Sequence, residues 1–128
     1  MKKPKPCPCG SQKTFEQCCN RYISGEQLPK TPEALMRSRY SAYTKANISY
    51  IQKTMCGPAS QEYNAKEARQ WAKTAHWLGL KIIKTSQNDT IGHVEFIARY
   101  RLNHTEHQLH ECSEFHYIDN RWYYIQGT

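Results

Sequence analysis

Four of the six cysteines in this 128-residue chain lie within its first nineteen residues. Cys7 and Cys9 flank Pro8, and Cys18 and Cys19 follow after a loop of eight residues. A Cys-x-Cys pair that faces a Cys-Cys pair across a short loop supplies four sulfur ligands, the number in a closed tetrahedral zinc site. We expect Cys7, Cys9, Cys18 and Cys19 to bind one structural Zn²⁺, although iron also suits four sulfurs. A redox pair and chance clustering are the alternatives.

The segment around these cysteines has little else to hold it together. Phe15, Tyr22 and Ile23 are the side chains that offer apolar packing there. We therefore expect a metal ion to supply the folding free energy of this segment, while the rest of the chain folds independently. The predicted organisation is a zinc knuckle over residues 1–28 and a second domain over residues 29–128.

The hydropathy of the chain argues against membrane insertion and secretion. No apolar run approaches the ~20 residues that a membrane-spanning helix needs. The N-terminus is rich in lysine and proline and lacks the apolar segment of a secretory signal. These features predict a cytoplasmic protein that does not associate with membranes. In that reducing compartment, clustered cysteines indicate metal or redox chemistry rather than disulfides.

The charge of the chain is concentrated near the cysteines. The formal net charge is +7, and residues 1–30 hold six basic and two acidic side chains, a net of +4. A zinc ion with four thiolates is negatively charged, so part of the basic excess offsets it. The remainder suits an acidic protein partner. Nucleic acid is a further interpretation, which charge alone supports.

Helices are predicted in the first half of the chain. Residues 31–33 (TPE) combine a hydroxyl cap, an early proline and an acid, as is typical of a helix start. Asn47 is expected to begin a second, short helix that ends at residues 56–58 (CGP). Asn64 resembles the first residue of a capping box and is expected to open a helix that runs through His76.

Strands are predicted in the second half. From Trp77 onward, apolar residues recur at every second position, which is the period of a β-strand. Asp119-Asn120 is a hairpin signal, and the last strand covers residues 121–125. Helices followed by a four-stranded meander predict an α+β fold in which the helices pack on one face of a curved antiparallel sheet.

Residues 7–11 (CPCGS) and the Cys18-Cys19 pair resemble the SEC-C motif. This motif is named for the C-terminal tail of the SecA preprotein translocase. The resemblance implies that Cys7, Cys9, Cys18 and Cys19 are the metal ligands and that the ion is zinc. Because the motif contacts the SecB chaperone in SecA, the resemblance also implies a protein-docking role.

Residues 35–43 (LMRSRYSAY), 77–80 (WLGL) and 121–125 (RWYYI) resemble the bacterial YchJ family. The resemblance implies a cone-like, nuclear-transport-factor-2-like (SnoaL-like) domain behind the knuckle. Many members of that family carry a second SEC-C motif beyond the position of Thr128, so we expect this chain to dock partners through one knuckle.

Cones of this kind enclose a cavity between the helices and the concave face of the sheet. Glu111 shares strand parity with Leu109 and Phe115 and is expected to face inward. Arg39 lies one helical turn after Leu35 and is expected to point towards the sheet. The pair predicts either an ion pair or, at Arg39, the anchor of an anionic ligand.

The favoured function is non-enzymatic: an adaptor that docks a protein partner through the knuckle. The alternative is an enzyme of the isomerase, dehydratase or hydrolase type that acts on a small organic molecule, with Glu111 and Arg39 as catalytic residues. Strand parity turns His93, Glu114 and His116 away from the cavity, which leaves few acid–base groups inside it. The oligomeric state stays open, with a dimer as one option.

Overall fold

The computed structural model describes residues 5–128. The elements in chain order are α1 Asn20–Ile23, α2 Pro32–Thr44, α3 Ile48–Lys53, α4 Pro58–Glu62, α5 Ala65–Thr74, β1 His76–Gln87, β2 Ile91–Leu102, β3 Thr105–Ile118 and β4 Arg121–Gly127. The strands form one antiparallel sheet in the order β1-β2-β3-β4. The predicted α+β fold is confirmed. None of the helices in the described range is long and apolar enough to cross a membrane.

Side-chain caps begin three helices at the positions that the sequence predicts. In each case the oxygen of the cap accepts a hydrogen bond from the backbone N–H three residues further on, at 3.0–3.1 Å: Thr31 from Ala34, Asn47 from Tyr50 and Asn64 from Glu67. These hydrogen bonds satisfy N–H groups that the first helical turn leaves without a partner. Local chemistry therefore sets the starts of α2, α3 and α5.

Two helix boundaries differ from the prediction. α5 ends at Thr74 instead of running through His76, because Ala75 adopts an extended conformation (φ −76°, ψ 142°) and leads directly into β1. Pro58 is the first residue of α4, preceded by Gly57 at φ 72°. The Gly57-Pro58 pair therefore starts a helix that the sequence analysis missed, since the fixed φ of proline suits the first helical turn.

Two tight turns connect the last three strands. Asn103 (φ 52°) and His104 (φ 66°) join β2 to β3, and Asp119 (φ 49°) and Asn120 (φ 69°) join β3 to β4. Positive φ at both central residues is the type I′ geometry, whose twist matches that of the flanking strands. The second turn is the one that the sequence predicts, and β4 continues beyond its predicted end at Ile125.

The main core lies between α2 and the concave face of the sheet. Leu35 of α2 packs in one apolar cluster with Val94 and Phe96 of β2 and Phe115 of β3, all at most 3% exposed. The four cysteines belong to this same cluster. The cysteine-rich segment therefore packs directly against the helix-and-sheet domain.

Candidate metal centre and cavity

Two turns bring the cysteine pairs together. Gly10 follows Cys9 with a φ of 83°, a left-handed conformation that glycine adopts without strain. Its N–H donates to the carbonyl of Cys7 at 3.3 Å, which closes the first turn. Cys18 and Cys19 lie at the beginning of α1, where Cys19 immediately precedes the first helical residue. The bend at this helix start lets two adjacent cysteines face the same point.

The four sulfur atoms form a compact, buried cluster. All of them lie within 4.8 Å of one another. The Sγ atoms of Cys9 and Cys18 are 3.7 Å apart, and those of Cys18 and Cys19 are 4.0 Å apart. Tetrahedral zinc with Zn–S bonds of ~2.3 Å holds its ligands about 3.8 Å from each other. The cysteines are free thiols, each at most 7% exposed, and their arrangement fits the binding of a metal ion by four sulfurs.

Two hydroxyl groups contact the sulfur cluster. Ser41 Oγ lies 3.5 Å from Cys7 Sγ, and Ser11 Oγ lies 3.1 Å from Cys18 Sγ. A serine hydroxyl donates its proton when the neighbouring sulfur is a thiolate, which orients that ligand and stabilises its charge. Ser41 belongs to α2, so the domain behind the knuckle supplies part of the surroundings of the site.

Two arginines also border the cluster. Arg37 Nη1 donates to the carbonyl of Cys9 at 2.7 Å, and Arg21 Nε donates to the carbonyl of Cys18 at 3.0 Å. These hydrogen bonds hold the backbone that carries the ligands. The positive charges of the two guanidinium groups also offset part of the negative charge of thiolates.

The ionisation of the cysteines is strongly interdependent. Hydrogen bonds from the Cys19 and Cys9 thiols lower the pKa of Cys7. The hydrogen bonds with Cys7 and Cys9, together with burial, raise the pKa of Cys19. Burial also raises the pKa of Cys18. Ionisation of all four sulfurs together needs a cation to offset their charge.

A cavity of about 500 Å³ lies between the helices and the concave face of the sheet. Seven aromatic side chains line it: Tyr40, Tyr43, Tyr63, Trp71, Trp77, Phe96 and Tyr124. The rings of Trp71 and Trp77 meet edge to face with centroids 5.0 Å apart, and the hydroxyls of Tyr43 and Tyr63 are 3.2 Å apart. This volume and these walls are typical of a small-molecule site.

Arg39 borders this cavity but does not form the expected ion pair with Glu111. Its Nη1 donates to the carbonyl of Ile51 at 2.9 Å and to Thr54 Oγ1 at 2.7 Å. Its Cζ lies 4.6 Å from the centre of the Tyr124 ring. Burial lowers the pKa of the guanidinium, and nearby tyrosines partly offset this effect. Within residues 5–128 no salt bridge joins Arg39 to Glu111, and each of the two side chains contacts Tyr124 instead.

Glu111 also borders the cavity. Its Oε2 accepts hydrogen bonds from Ser113 Oγ at 2.6 Å and from the Tyr124 hydroxyl at 3.3 Å. On another side the carboxylate lies against Gly127, where a side chain would overlap it. Two hydroxyl donors and a glycine thus hold the carboxylate in place. Catalysis by Glu111 and Arg39 stays a prediction.

Strand parity predicts that three acid–base residues face outward, and these three residues contact each other. His116 Nε2 lies 2.7 Å from Glu114 Oε2, and His93 Nε2 lies 3.6 Å from Glu114 Oε1. The hydrogen bond from His116 lowers the pKa of Glu114. These three residues belong to a surface charge cluster and lie apart from the cavity lining.

Sequence reasoning missed most of the aromatic residues in the cavity wall, among them Tyr43, Trp71 and Tyr63. Tyr43 lies one turn after Arg39 on α2, so helical spacing alone could have placed both on one face. Trp71 lies on the apolar face of α5, where core packing is the ordinary explanation. Tyr63 lies between α4 and α5, in a segment that no periodic pattern marks.

Comparison with known proteins links both parts of the chain to one family. Residues 31–127 match the YchJ middle, NTF2-like domain, and residues 4–21 match the SEC-C motif. A UPF0225 protein from Geobacter sulfurreducens is 43% identical over 124 residues, which cover 94% of this chain and 77% of that protein.

Two solved structures have the same fold over nearly the whole chain. The solution structure of a SEC-C motif containing protein from Rhodopseudomonas palustris has a TM-score of 0.89 and 35% identity, and covers 97% of this chain and 98% of its own. The crystal structure of a SEC-C motif containing protein from Psychrobacter arcticus has a TM-score of 0.85 and 27% identity, over 95% and 81% of the two chains. The chain therefore belongs to the YchJ-like UPF0225 family, with a SEC-C motif ahead of an NTF2-like domain.

Proposed function

We propose that the four cysteines hold one structural Zn²⁺ and that the protein is an adaptor, which docks an acidic segment of a protein partner through the zinc knuckle. The observation that carries the metal part is the closed sulfur site. Four buried sulfurs at tetrahedral spacing provide a complete ligand set, which suits a structural ion rather than one that activates water.

Sulfur ligands select for zinc or iron over calcium and magnesium, which prefer oxygen. Metal analysis of protein purified under reducing conditions is therefore expected to give one zinc ion per chain. Iron with sulfur-to-metal absorption in the visible range would contradict the choice of zinc. The ligands must remain reduced thiolates, so the proposal places the protein in a reducing compartment such as the cytoplasm.

The proposal that the knuckle docks a partner is based on a groove on the exposed side of the knuckle. Lys5, Phe15 and Lys45 border a groove of about 460 Å³. The Lys45 ammonium lies 4.5 Å from the centre of the Phe15 ring, so an apolar surface and positive charge coincide. Glu16 is the acidic side chain on this groove. An acidic peptide with an apolar anchor complements this surface in both charge and shape.

The test is a titration of the zinc-loaded chain with a labelled peptide rich in Asp and Glu that carries one Phe. The double variant Lys5→Glu/Lys45→Glu is expected to weaken binding at least about tenfold, because it reverses the charge of the groove. Lys66→Glu/Lys73→Glu makes the same charge change on exposed positions of α5 and is expected to leave binding nearly unchanged.

Two controls distinguish this proposal from its alternatives. A peptide with amides in place of the carboxylates should bind weakly, and binding of the acidic peptide should weaken as salt rises. Equal losses in the two double variants would indicate unspecific charge attraction and contradict docking at the groove. Tighter binding of a single-stranded oligonucleotide than of the acidic peptide would replace protein docking by nucleic-acid binding.

A further inference from the structure

The cavity contains a buried cation whose hydrogen-bonding capacity is only partly used. Arg39 is 5% exposed, and its Nη1 makes both of its hydrogen bonds, to Ile51 and Thr54. Its Nε and Nη2 groups make no hydrogen bond to any residue in the described range 5–128. These two groups are not among the fully buried nitrogens and oxygens that lack a partner in this range, so they retain access to solvent and to a ligand. The remaining N–H donors of Arg39 are therefore suited to an anion within the cavity.

A hydrogen-bond acceptor lies at the hydroxyl end of the Tyr124 ring. Arg39 stacks over this ring, and the Tyr124 hydroxyl donates to Oε2 of Glu111. Ser113 donates to the same oxygen, and no hydrogen bond to Oε1 is formed by the described part of the chain. Arg39 and Glu111 thus border the same cavity without forming an ion pair with each other.

The walls and the opening of the cavity restrict the kind of ligand that fits. The indoles of Trp71 and Trp77 provide flat apolar surfaces suited to an aromatic body. Glu62 and Glu67 border the cavity on its exposed helix side and add negative charge there. Their charges disfavour a dianion, such as a phosphate ester, more than a monoanion. A single carboxylate therefore fits better than a multiply charged group.

We propose that the cavity is a binding site for small monocarboxylic acids that have a flat apolar body and a hydrogen-bond donor at the far end. The carboxylate accepts hydrogen bonds from Nε and Nη2 of Arg39, and the body packs against Trp71 and Trp77. The donor, a hydroxyl or an ammonium group, faces Glu111. This site is separate from the metal centre and goes beyond the docking function proposed for the knuckle.

The test is a titration of the zinc-loaded full chain with 4-hydroxyphenylacetate. Quenching of tryptophan fluorescence and a shift of the Arg39 Nε–H resonance are the readouts. Saturable binding is expected, and p-cresol, which lacks the carboxylate, should bind about ten- to a hundredfold more weakly. Phenylacetate, which lacks the hydroxyl, should also bind more weakly. A parallel titration with 4-(aminomethyl)benzoate shows whether the hydroxyl or the ammonium group is the better donor.

Two variants locate the site. Arg39→Met is expected to abolish the preference for the acid over p-cresol. Arg39 also joins α2 to the end of α3, so Arg39→Met could affect the fold. Ala68→Trp is therefore a second variant. It fills the cavity from α5 and leaves the hydrogen bonds of Arg39 intact. It should abolish binding with unchanged circular dichroism. Gln70→Trp, on the exposed face of the same helix, should bind like the wild type.

Three results would overturn the proposal. The first is no saturable binding of any of the acids. The second is equal affinity for 4-hydroxyphenylacetate and p-cresol, which would show that Arg39 contributes no anion site. The third is unchanged acid binding by folded Ala68→Trp, which would place the acid elsewhere on the protein.

Discussion

The Ser41 hydroxyl shows how a single residue of the domain contributes to the metal centre. It lies 3.5 Å from the sulfur of Cys7, across a long separation in sequence. Ser38, one turn earlier on α2, is equally buried, but its hydroxyl donates to the carbonyl of Leu35 at 2.8 Å and lies 2.7 Å from the Tyr50 hydroxyl. Ser41 therefore contacts a cysteine of the metal site, whereas Ser38 contributes to the packing of α2 against α3.

Ser41→Ala is expected to lower zinc affinity about tenfold or more, because it removes a hydrogen bond that orients and stabilises the Cys7 thiolate. Competition with a chromophoric chelator measures this affinity. Ser38→Ala should leave zinc affinity unchanged while lowering the free energy of unfolding by about 1 kcal/mol. Wild-type zinc affinity in Ser41→Ala would mean that the hydroxyl has no part in the metal site.

At the scale of secondary-structure elements, the start of α2 packs against a position on β2 that must lack a side chain. A methyl group at Gly92 would overlap the ring of Pro32, the first residue of α2. Gly92→Ala is expected to destabilise the protein by about 1–3 kcal/mol, because the rigid ring and the paired strand both resist displacement. Chemical denaturation measures the change.

The double variant Gly92→Ala/Pro32→Ala tests the cause of that loss. Pro32→Ala alone is expected to cost about 1 kcal/mol, because the ring is fully buried and restricts the first turn of α2. In the Pro32→Ala background, Gly92→Ala should cost much less than it does in the wild type. Strictly additive effects of the two substitutions would show that the contact between α2 and β2 is not what excludes a side chain at Gly92.

The elements also show what the sequence can predict and where it fails. Thr31, Asn47 and Asn64 mark helix starts through hydrogen bonds to residues three positions away, so a local pattern reveals them. Of the two alternatives for Arg39, an ion pair with Glu111 or an anchor for an anionic ligand, the ion pair does not form among the described residues. Both side chains contact the Tyr124 side chain of β4. The sequence pattern of α2 or of β3 alone contains no information about the position of β4.

At the scale of the whole molecule, the knuckle and the domain share one core. The buried cysteines pack with Leu35 and Met36 of α2 and with Phe96 of β2. The sequence suggests a knuckle that folds alone on its metal, because residues 7–24 have few apolar side chains of their own. In the structure the sulfur cluster also packs against α2, and independent folding of the two parts stays a prediction.

Metal removal is therefore expected to destabilise α2 together with the knuckle. Ligand linkage predicts a loss of about 4 kcal/mol when free zinc had been a thousandfold above its Kd. Hydrogen exchange after chelation should show faster exchange at residues 38–43 as well as at residues 7–24. Cys18→Ser should reproduce this result, whereas Cys112→Ser, outside the sulfur cluster, should exchange like the wild type. Full protection of α2 beside a melted knuckle would mean that contact with the sulfur cluster does not stabilise the helix, and that the two parts fold as separate units.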